Sequence, residues 1–479
     1  MAQNNLKKSL LIVGSEKMLI TLIQFFGNVV LARLLCPEDY GIIAMVAIFI
    51  AISSLFIESG FGGSLIFYKD VGEKDFSTVF WFNFLMGIGI YLLLFATSGI
   101  IADFYHVQKL SMVIKVIGLV LVFNSFGLIQ YTILYKQLKF KVLAVTSVTS
   151  TFLAFLVSIG LGLCGFGLWA LVANQVLYSV IQTTTLCIRN RFVPKSFINI
   201  TLLKKHWKYG SGMAFSSLVK TIYDNIYLQI IGKFFTISSA GYFNQANKIK
   251  EIPVQLCSRT FDNSLFPIMS KCETKDEITA LLVKTSSFFS FTVTPMLFLL
   301  AITSKLVVAI LLGEKWFASC QFLSLLAIGS IFVILESINR SVFKALGQTK
   351  LFFKIELVKR IMNILIILLF IYLFQIYGLA YSFILNSFIG WFVNSYALYF
   401  FSKISFKEQF LSSVKYFSVC LVLYALIKIF LSSHLEISYW WIVSAGAIFV
   451  IVYLGIFIFI KDKNINYVKN IIKRKRMSL

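Results

Sequence analysis

Charge and proline are what this chain has least of. Of 479 residues only 13% are charged, 20 are acidic and five are proline, while 59% are hydrophobic. A soluble domain carries about twice that charge and less apolar residue, so a soluble globular class is excluded. Seven cysteines (Cys36, Cys164, Cys187, Cys257, Cys272, Cys320, Cys420) are scattered, odd in number and never in a CxxC pair. That supports neither a disulfide framework nor a zinc site. The three histidines, His106, His206 and His434, lie far apart and read as loop or interface residues. No Walker A loop is present, so no ATP is cleaved here, and neither a G-x-S-x-G elbow nor an HExxH pair occurs. The longest polar connection is only Arg189–Lys208. A catalytic site would have to be built from the hydrophobic segments themselves. The first apolar run continues as a full-length helix with polar residues inside it, which does not read as a cleavable signal.

What is present is long hydrophobic runs, 50 phenylalanines and a mean hydropathy of +0.87. At roughly 20 residues per span, a dozen or more spans fit. The pattern places them near 9–34, 40–67, 76–102, 109–135, 140–163, 166–188, 206–233, 239–267, 276–303, 316–342, 351–374, 378–401, 412–432 and 439–460. The expected class is an all-α polytopic membrane protein of about 14 transmembrane helices, with both ends on one side.

A net charge of +24 could suggest nucleic acid, but the cations sit in short loops and a basic tail, which is an orientation signal. One set of loops holds Lys7 and Lys8, Lys69 and Lys74, Lys136 to Lys141, Arg189 to Lys208, Lys271 and Lys275, Lys344 to Lys354, Lys403 and Lys407, and the tail from Lys473. The alternate loops hold little beyond Arg33, Lys109, Lys233, Lys305 and Lys315. The first set, with both termini, is therefore expected to be cytoplasmic. The tail serves as a topology anchor that can also touch anionic membrane lipids. Tyr131, Tyr135, Trp169, Trp391, Trp440 and Trp441 suit interfacial belts, and some could stack on sugar.

An internal repeat runs at a nearly constant offset, which is 200 at its first match. LARLLCPEDYG at 31–41 lies over IGKFFTISSAG at 231–241, and Glu73-Lys74-Asp75 over Thr274-Lys275-Asp276. Gly167-Leu168 lies over Gly378-Leu379. An even number of spans per copy makes the repeats parallel, a transporter architecture with the substrate path at the lobe interface. The expected domains are an N-terminal lobe at 1–200, a second lobe at 201–404, and two further spans plus tail at 405–479.

Ionisable groups at membrane depth are expensive and face a cavity or a partner. The first span has Lys17, Thr21, Gln24 and Asn28 on one helical face, with Glu16 adjacent. The seventh has Ser216, Lys220, Asp224 and Tyr227; the eighth has Asn244, Lys248, Glu251, Gln255 and Arg259, continued by Asp262. Pro253 should bend the eighth. The tenth adds Glu336, Asn339, Arg340 and Lys344, and the eleventh opens with Glu356, Lys359 and Arg360. Each has a plainer alternative. Lys220 and Asp224, or Lys248 and Glu251, could simply neutralise one another. Arg340, Lys344, Lys359 and Arg360 could be positive-inside residues, and Lys115 and Lys284 could snorkel. No metal ligand set and no catalytic residue emerges.

The most legible stretch is Val29–Met45. An apolar run ends at Leu35, the chain turns through Cys36-Pro37-Glu38-Asp39, and a second run starts at Tyr40. Pro37 suits the first helical position, and Glu38 and Asp39 meet the positive end of the new helix dipole. LARLLCPEDYGIIAM, then GFGGSLI at Gly60–Ile66 and KDVGEKDFSTVFWFN at Lys69–Asn83, closely resemble the start of Wzx-type polysaccharide flippases of the MOP exporter superfamily, in the colanic-acid-exporter-like branch. The family pattern has Thr where Cys36 stands, a tolerated change of helix cap. The resemblance implies a MOP/MATE-like fold and translocation of undecaprenyl-diphosphate-linked oligosaccharide across the bacterial cytoplasmic (inner) membrane for surface polysaccharide, with no nucleic acid partner. It also implies a pathway containing a polymerase and a chain-length regulator. Lys17, Lys220, Lys248, Arg259 and Arg340 would then meet the anionic groups, and Gln24, Asn28, Asn244 and Gln255 the hydroxyls. No cofactor is expected; coupling to a proton or sodium gradient would use Asp224 and Glu251. Two other readings stand beside it: a multidrug cation antiporter of the same superfamily, which would want an acidic cavity, and a membrane polymerase or ligase, which would want a large outer loop.

Overall fold

A computed structural model describes residues 2–58, 60–260, 264–432 and 439–466, with side chains from residue 13 onward. His434, Asp262 and the tail from Lys473 lie outside the described residues, as do the side chains of Lys7, Lys8, Ser216 and Arg259.

Helix follows helix along the described chain: α1 (Ala2–Leu34), α2 (Pro37–Glu58), α3 (Phe61–Phe67), α4 (Glu73–Tyr105), α5 (Lys109–Ile117), α6 (Leu119–Lys136), α7 (Phe140–Leu163), α8 (Leu168–Asn190), α9 (Ile200–Phe234) and α10 (Ile237–Thr260). Then come α11 (Phe266–Met269), α12 (Lys275–Ile302), α13 (Ser304–Leu311), α14 (Ser319–Ala345), α15 (Thr349–Ser402), α16 (Phe406–Ser432) and α17 (Tyr439–Phe459). Eleven are long and apolar enough to cross a membrane. One of these, α15, has 54 residues and turns at Gln375 (φ 52, ψ −134), so it supplies two spans. α9 and α10 are long enough but too polar to count among the eleven. With them the count reaches the fourteen expected, and the protein is a multi-pass membrane protein.

Boundaries differ from expectation in two places. The second span, Pro37–Phe67, is not one unbroken helix. α2 stops at Glu58, Gly60 takes a left-handed φ of 72°, and α3 begins afresh. Gly60 is needed there, because a Cβ would sit 2.5 Å from the Cα of Gly210. α10 is described to Thr260 and helix is described again at Phe266–Met269, with 261–263 outside the described residues. The junction expected at Gly378 also moves. Gly167, before α8, has φ 53 and ψ −124, and its conformational match is Gln375, not Gly378. Gly378 lies three residues on, where a Cβ would strike the Phe370 carbonyl oxygen at 2.0 Å.

The chain divides into two compact units, Met1–Asn244 and Gln245–Leu479. In the first, α1 packs on α7, α7 on α8, α6 on α8 and α4, and α2 on α9. Leu110, Ile114, Ile117 and Leu121 fill one core with Met45 and Val46; Phe61, Leu65, Val79 and Ile129 fill another. In the second unit α14 packs on α12 and α15, and α16 and α17 join α12. Trp391, expected in an interfacial belt, is instead fully buried, stacked on Phe410 at 5.7 Å and 9°. Trp440, by contrast, is 81% exposed.

The hairpin chemistry is as expected and fuller. Pro37 opens α2, and the Asp39 carboxylate reaches back to accept the Cys36 N–H at 3.2 Å, half of a capping box. At the matching turn 200 residues on, the Thr236 hydroxyl accepts the Ser239 N–H at 3.3 Å. The two turns touch reciprocally. A Cβ on Gly41 would lie 2.0 Å from the Ile237 carbonyl oxygen, and a Cβ on Gly241 would lie 1.9 Å from that of Pro37. Ser238 also donates to Glu38 at 3.4 Å. Position i meeting j plus 200, while i plus 200 meets j, is what a two-fold relation produces.

Candidate functional site

The polar residues expected on α1, α9 and α10 differ in exposure. On α1, Lys17, Thr21 and Gln24 are exposed and Asn28 is half-buried. Thr21 Oγ1 bonds back to the Lys17 carbonyl at 2.7 Å, and Asn28 Nδ2 to that of Gln24 at 2.6 Å. On α9, Lys220 and Asp224 are exposed. On α10, Lys248 and Gln255 are exposed, while Asn244 and Glu251 are half-buried. Glu251 makes its ion pair with Lys250, at 3.6 Å; the Lys250 ammonium also lies 4.5 Å from the Phe383 ring centre. At about 1.5 Å per residue, Gln24 and Asp224 each lie about 15 Å below the hairpin ends of their helices. An exposed lysine at such depth needs water or an anion, because lipid solvates neither the charge nor its donors.

Arg340 belongs to a different cluster. In the second unit Glu336 of α14 contacts Lys359, which also contacts Glu356 one turn earlier on α15. Arg340 adds attraction to Glu336 from its own helix. Asn394 Nδ2 donates to Glu336 at 3.0 Å. Next to it, Gln409 donates to Asn339 at 2.6 Å and Asn339 to Ser395 at 2.8 Å. Lys359 is 4% exposed and so is an internal counterion, not a surface lysine.

His206 is not a loop residue. It is fully buried, with Nδ1 2.8 Å from Ser64 Oγ and Nε2 3.0 Å from Asp75 Oδ1. The order Ser–His–Asp matches a nucleophile triad in composition only. Ser64 has no exposed surface, and its hydroxyl already donates to the Phe61 carbonyl at 2.8 Å. The group therefore ties α9 to α3 and α4. Lys136 strengthens the same corner by donating to the carbonyls of Leu65 and Tyr68, both at 2.8 Å.

A cavity of about 340 Å³ opens in the first unit, lined by Glu58 of α2, Asn124 and Tyr131 of α6, and Tyr178, Gln182 and Thr183 of α8, among others. The sequence reading missed it, because these residues are mostly neutral and come from three separate helices. The signal was there: Tyr178 and Gln182 are four apart, as are Ser54 and Glu58. Among the described residues no group of three or more His, Cys, Asp or Glu could hold a metal ion.

Residues 30–321, more than half of the chain, match the family described as "Polysaccharide biosynthesis protein". The teichuronic acid biosynthesis protein TuaB of Bacillus subtilis (strain 168) is 26% identical over 345 residues, 70% of each chain. The succinoglycan biosynthesis transport protein ExoT of Rhizobium meliloti (strain 1021) is 22% identical over 340 residues, 71% of this chain and 69% of that one. Among solved structures, the lipid II flippase MurJ in an inward closed conformation superposes with a TM-score of 0.75 at 16% identity, covering 95% of this chain and 99% of that one. That likeness speaks for the fold alone; the family match speaks for kinship, and the chain belongs to the polysaccharide biosynthesis protein family.

Proposed function

We propose that this protein is a flippase that carries undecaprenyl-diphosphate-linked oligosaccharide from the inner to the outer leaflet of the bacterial cytoplasmic membrane, by alternating access. The observation that carries the reading is the exposed lysines of α1, α9 and α10, three helices long enough to span a membrane. A diphosphate repays the cost of keeping Lys17, Lys220 and Lys248 there, and Gln24, Asn28, Asn244 and Gln255 offer bonds to hydroxyls. The lipid tail stays in the bilayer, and both termini are cytoplasmic. The two lobes are residues 1–200 and 201–404, followed by the segment 405–479. A proton or sodium gradient would act at Asp224 and Glu251. A cation antiporter fits less well, since the exposed deep charge is largely basic. A polymerase and a chain-length regulator would act on the exported unit.

The test is complementation of a strain lacking its own flippase, reading surface polysaccharide and protein amount. Lys→Arg at 17, 220 and 248 should keep most export, and Lys→Gln should lose it. If Lys220 only neutralises Asp224, the double variant Lys220→Gln with Asp224→Asn should recover export. Normal export by all three Lys→Gln variants would overturn the reading.

A further inference from the structure

We propose that the cavity in the first unit is a subsite for sugar, reading the glycan next to the diphosphate; this rests on the flippase reading above. Its chemistry is the reason. The lining contains a carboxylate, two amides, two hydroxyls and two phenols, and no lysine, arginine or histidine. An anion such as the diphosphate is repelled there, because Glu58 lines the wall and the Glu16 carboxylate acts electrostatically on both Tyr131 and Tyr178. A dehydrated metal ion wants six or more oxygens, and no acidic cluster supplies them. A neutral polyol suits the set well. Each sugar hydroxyl both donates and accepts, a carboxylate accepts, and an amide does both. Tyrosine adds a flat apolar face for ring C–H groups, and Tyr131 is 39% exposed and stacked with Tyr135 at 6.0 Å.

The wall is also prepared for a ligand. Asn124 Oδ1 is held by the Ser179 hydroxyl at 2.6 Å, which turns its Nδ2 donors away from that contact. Gln182 is hydrogen-bonded to Tyr178. Gly127 keeps α6 close to α8, since a Cβ there would lie 2.8 Å from Thr183 Oγ1. Polarity is not general to the cavities of this protein: one of about 550 Å³ in the second unit is lined by aromatic and aliphatic side chains. The location suits the role. Glu58 ends α2, and Tyr131 stands five residues before the end of α6, so the cavity lies at the cytoplasmic end in the proposed topology. Glu16 and Lys17 are consecutive on α1 and so diverge by about 100° around the helix. Glu16 interacts electrostatically with Tyr131 and Tyr178 of the lining, so Lys17 beside it would hold the diphosphate next to the first sugars.

The test uses the purified full-length protein and two probes. One is the lipid-linked oligosaccharide pool extracted from the protein's own host blocked in polymerisation. The other is undecaprenyl diphosphate itself, the same lipid stripped of its glycan. Wild-type protein should bind the glycosylated pool about tenfold or more tighter than the stripped one, the worth of one or two hydrogen bonds. Gln182→Leu and Glu58→Leu should each close most of that gap and leave affinity for the stripped lipid unchanged, which also shows that they fold. Glu58→Gln, which still accepts a hydroxyl proton, should retain most of it. A wild type that binds both pools equally overturns the subsite and leaves the flippase reading standing, as does a gap that survives both leucine variants. A wild type that binds neither lipid overturns the flippase reading itself.

Discussion

Lys359→Met is the sharpest perturbation of the second unit. The ammonium sits between two carboxylates, Glu336 and Glu356, whose side chains are 17% and 25% exposed. Removing it changes the trio from one net negative charge to two, at a place where water reaches poorly. Breaking a buried pair by deleting one partner costs about 3–5 kcal/mol, because the surviving charge keeps its desolvation without its counterion. Each 1.4 kcal/mol is about a factor of ten, so the unfolded fraction should rise by roughly two to four decades. Arg340 attracts Glu336 and should hold the loss toward the lower end. Thermal unfolding of purified protein in detergent, followed by intrinsic tryptophan fluorescence, gives the size. The companion variant Lys359→Met, Glu336→Gln, Glu356→Gln removes every charge of the trio and keeps an acceptor for Asn394. It should regain most of the stability, since a neutral replacement of a buried pair is often tolerated. Wild-type stability of Lys359→Met alone would refute the reasoning, and so would a triple variant no better than the single one.

Three further outcomes are expected. Gly41→Ala and Gly241→Ala each drive a methyl into a carbonyl oxygen, so either should lower folded protein, read by fluorescent size-exclusion profiles, while Gly89→Ala, with open space around it, should not. Asp462 follows the last span and is buried, which alone would raise its pKa; bonds from Lys415 at 2.5 Å, from the Asn464 N–H at 2.9 Å and from Tyr416 at 3.0 Å outweigh this and hold it below the ordinary carboxylate value. A depressed folded pKa contributes stability that is full above about pH 4 and is lost as pH falls through the folded value, so Asp462→Asn should flatten the acid limb of a melting-point profile and leave no such slope. Reporter fusions after Lys69 and Lys195 should read cytoplasm and those after Glu38 and Glu314 the outside; a consistent reversal would sink the orientation.

The fold was legible wherever burial follows hydropathy or a turn has its own chemistry. Long apolar runs located the spans, and Cys36-Pro37-Glu38-Asp39 announced its turn through capping and dipole effects. The i, i+4 spacing of Lys17, Thr21, Gln24 and Asn28 announced an exposed face. Hydropathy could not separate Trp391 from Trp440, because lipid and protein core are equally apolar solvents. The break at Gly60 was hidden for a related reason: its neighbours Phe61, Gly62 and Gly63 continue an apolar run without proline or charge. His206 was misread because its partners, Ser64 and Asp75, are 142 and 131 residues away. The cavity of the first unit escaped because its lining is mostly neutral and divided among α2, α6 and α8.

The crossing of Gly41 and Gly241 has a consequence for how sequences of this kind can drift. Each glycine faces the backbone of the other hairpin, so a change in one copy is judged by the image of the position it came from. The polar stripes of α1 and α9 carry different residues, Lys17, Thr21 and Gln24 in one and Lys220 and Asp224 in the other. Positions 41 and 241 are not free, since a Cβ on either would strike the backbone of the other hairpin. Descendants of the duplication should therefore keep this small square of backbone contacts long after the rest of the two halves has ceased to look alike. A pair of glycines at fixed separation, each four residues into its helix, is then a more durable mark of common origin than any charged residue in the chain.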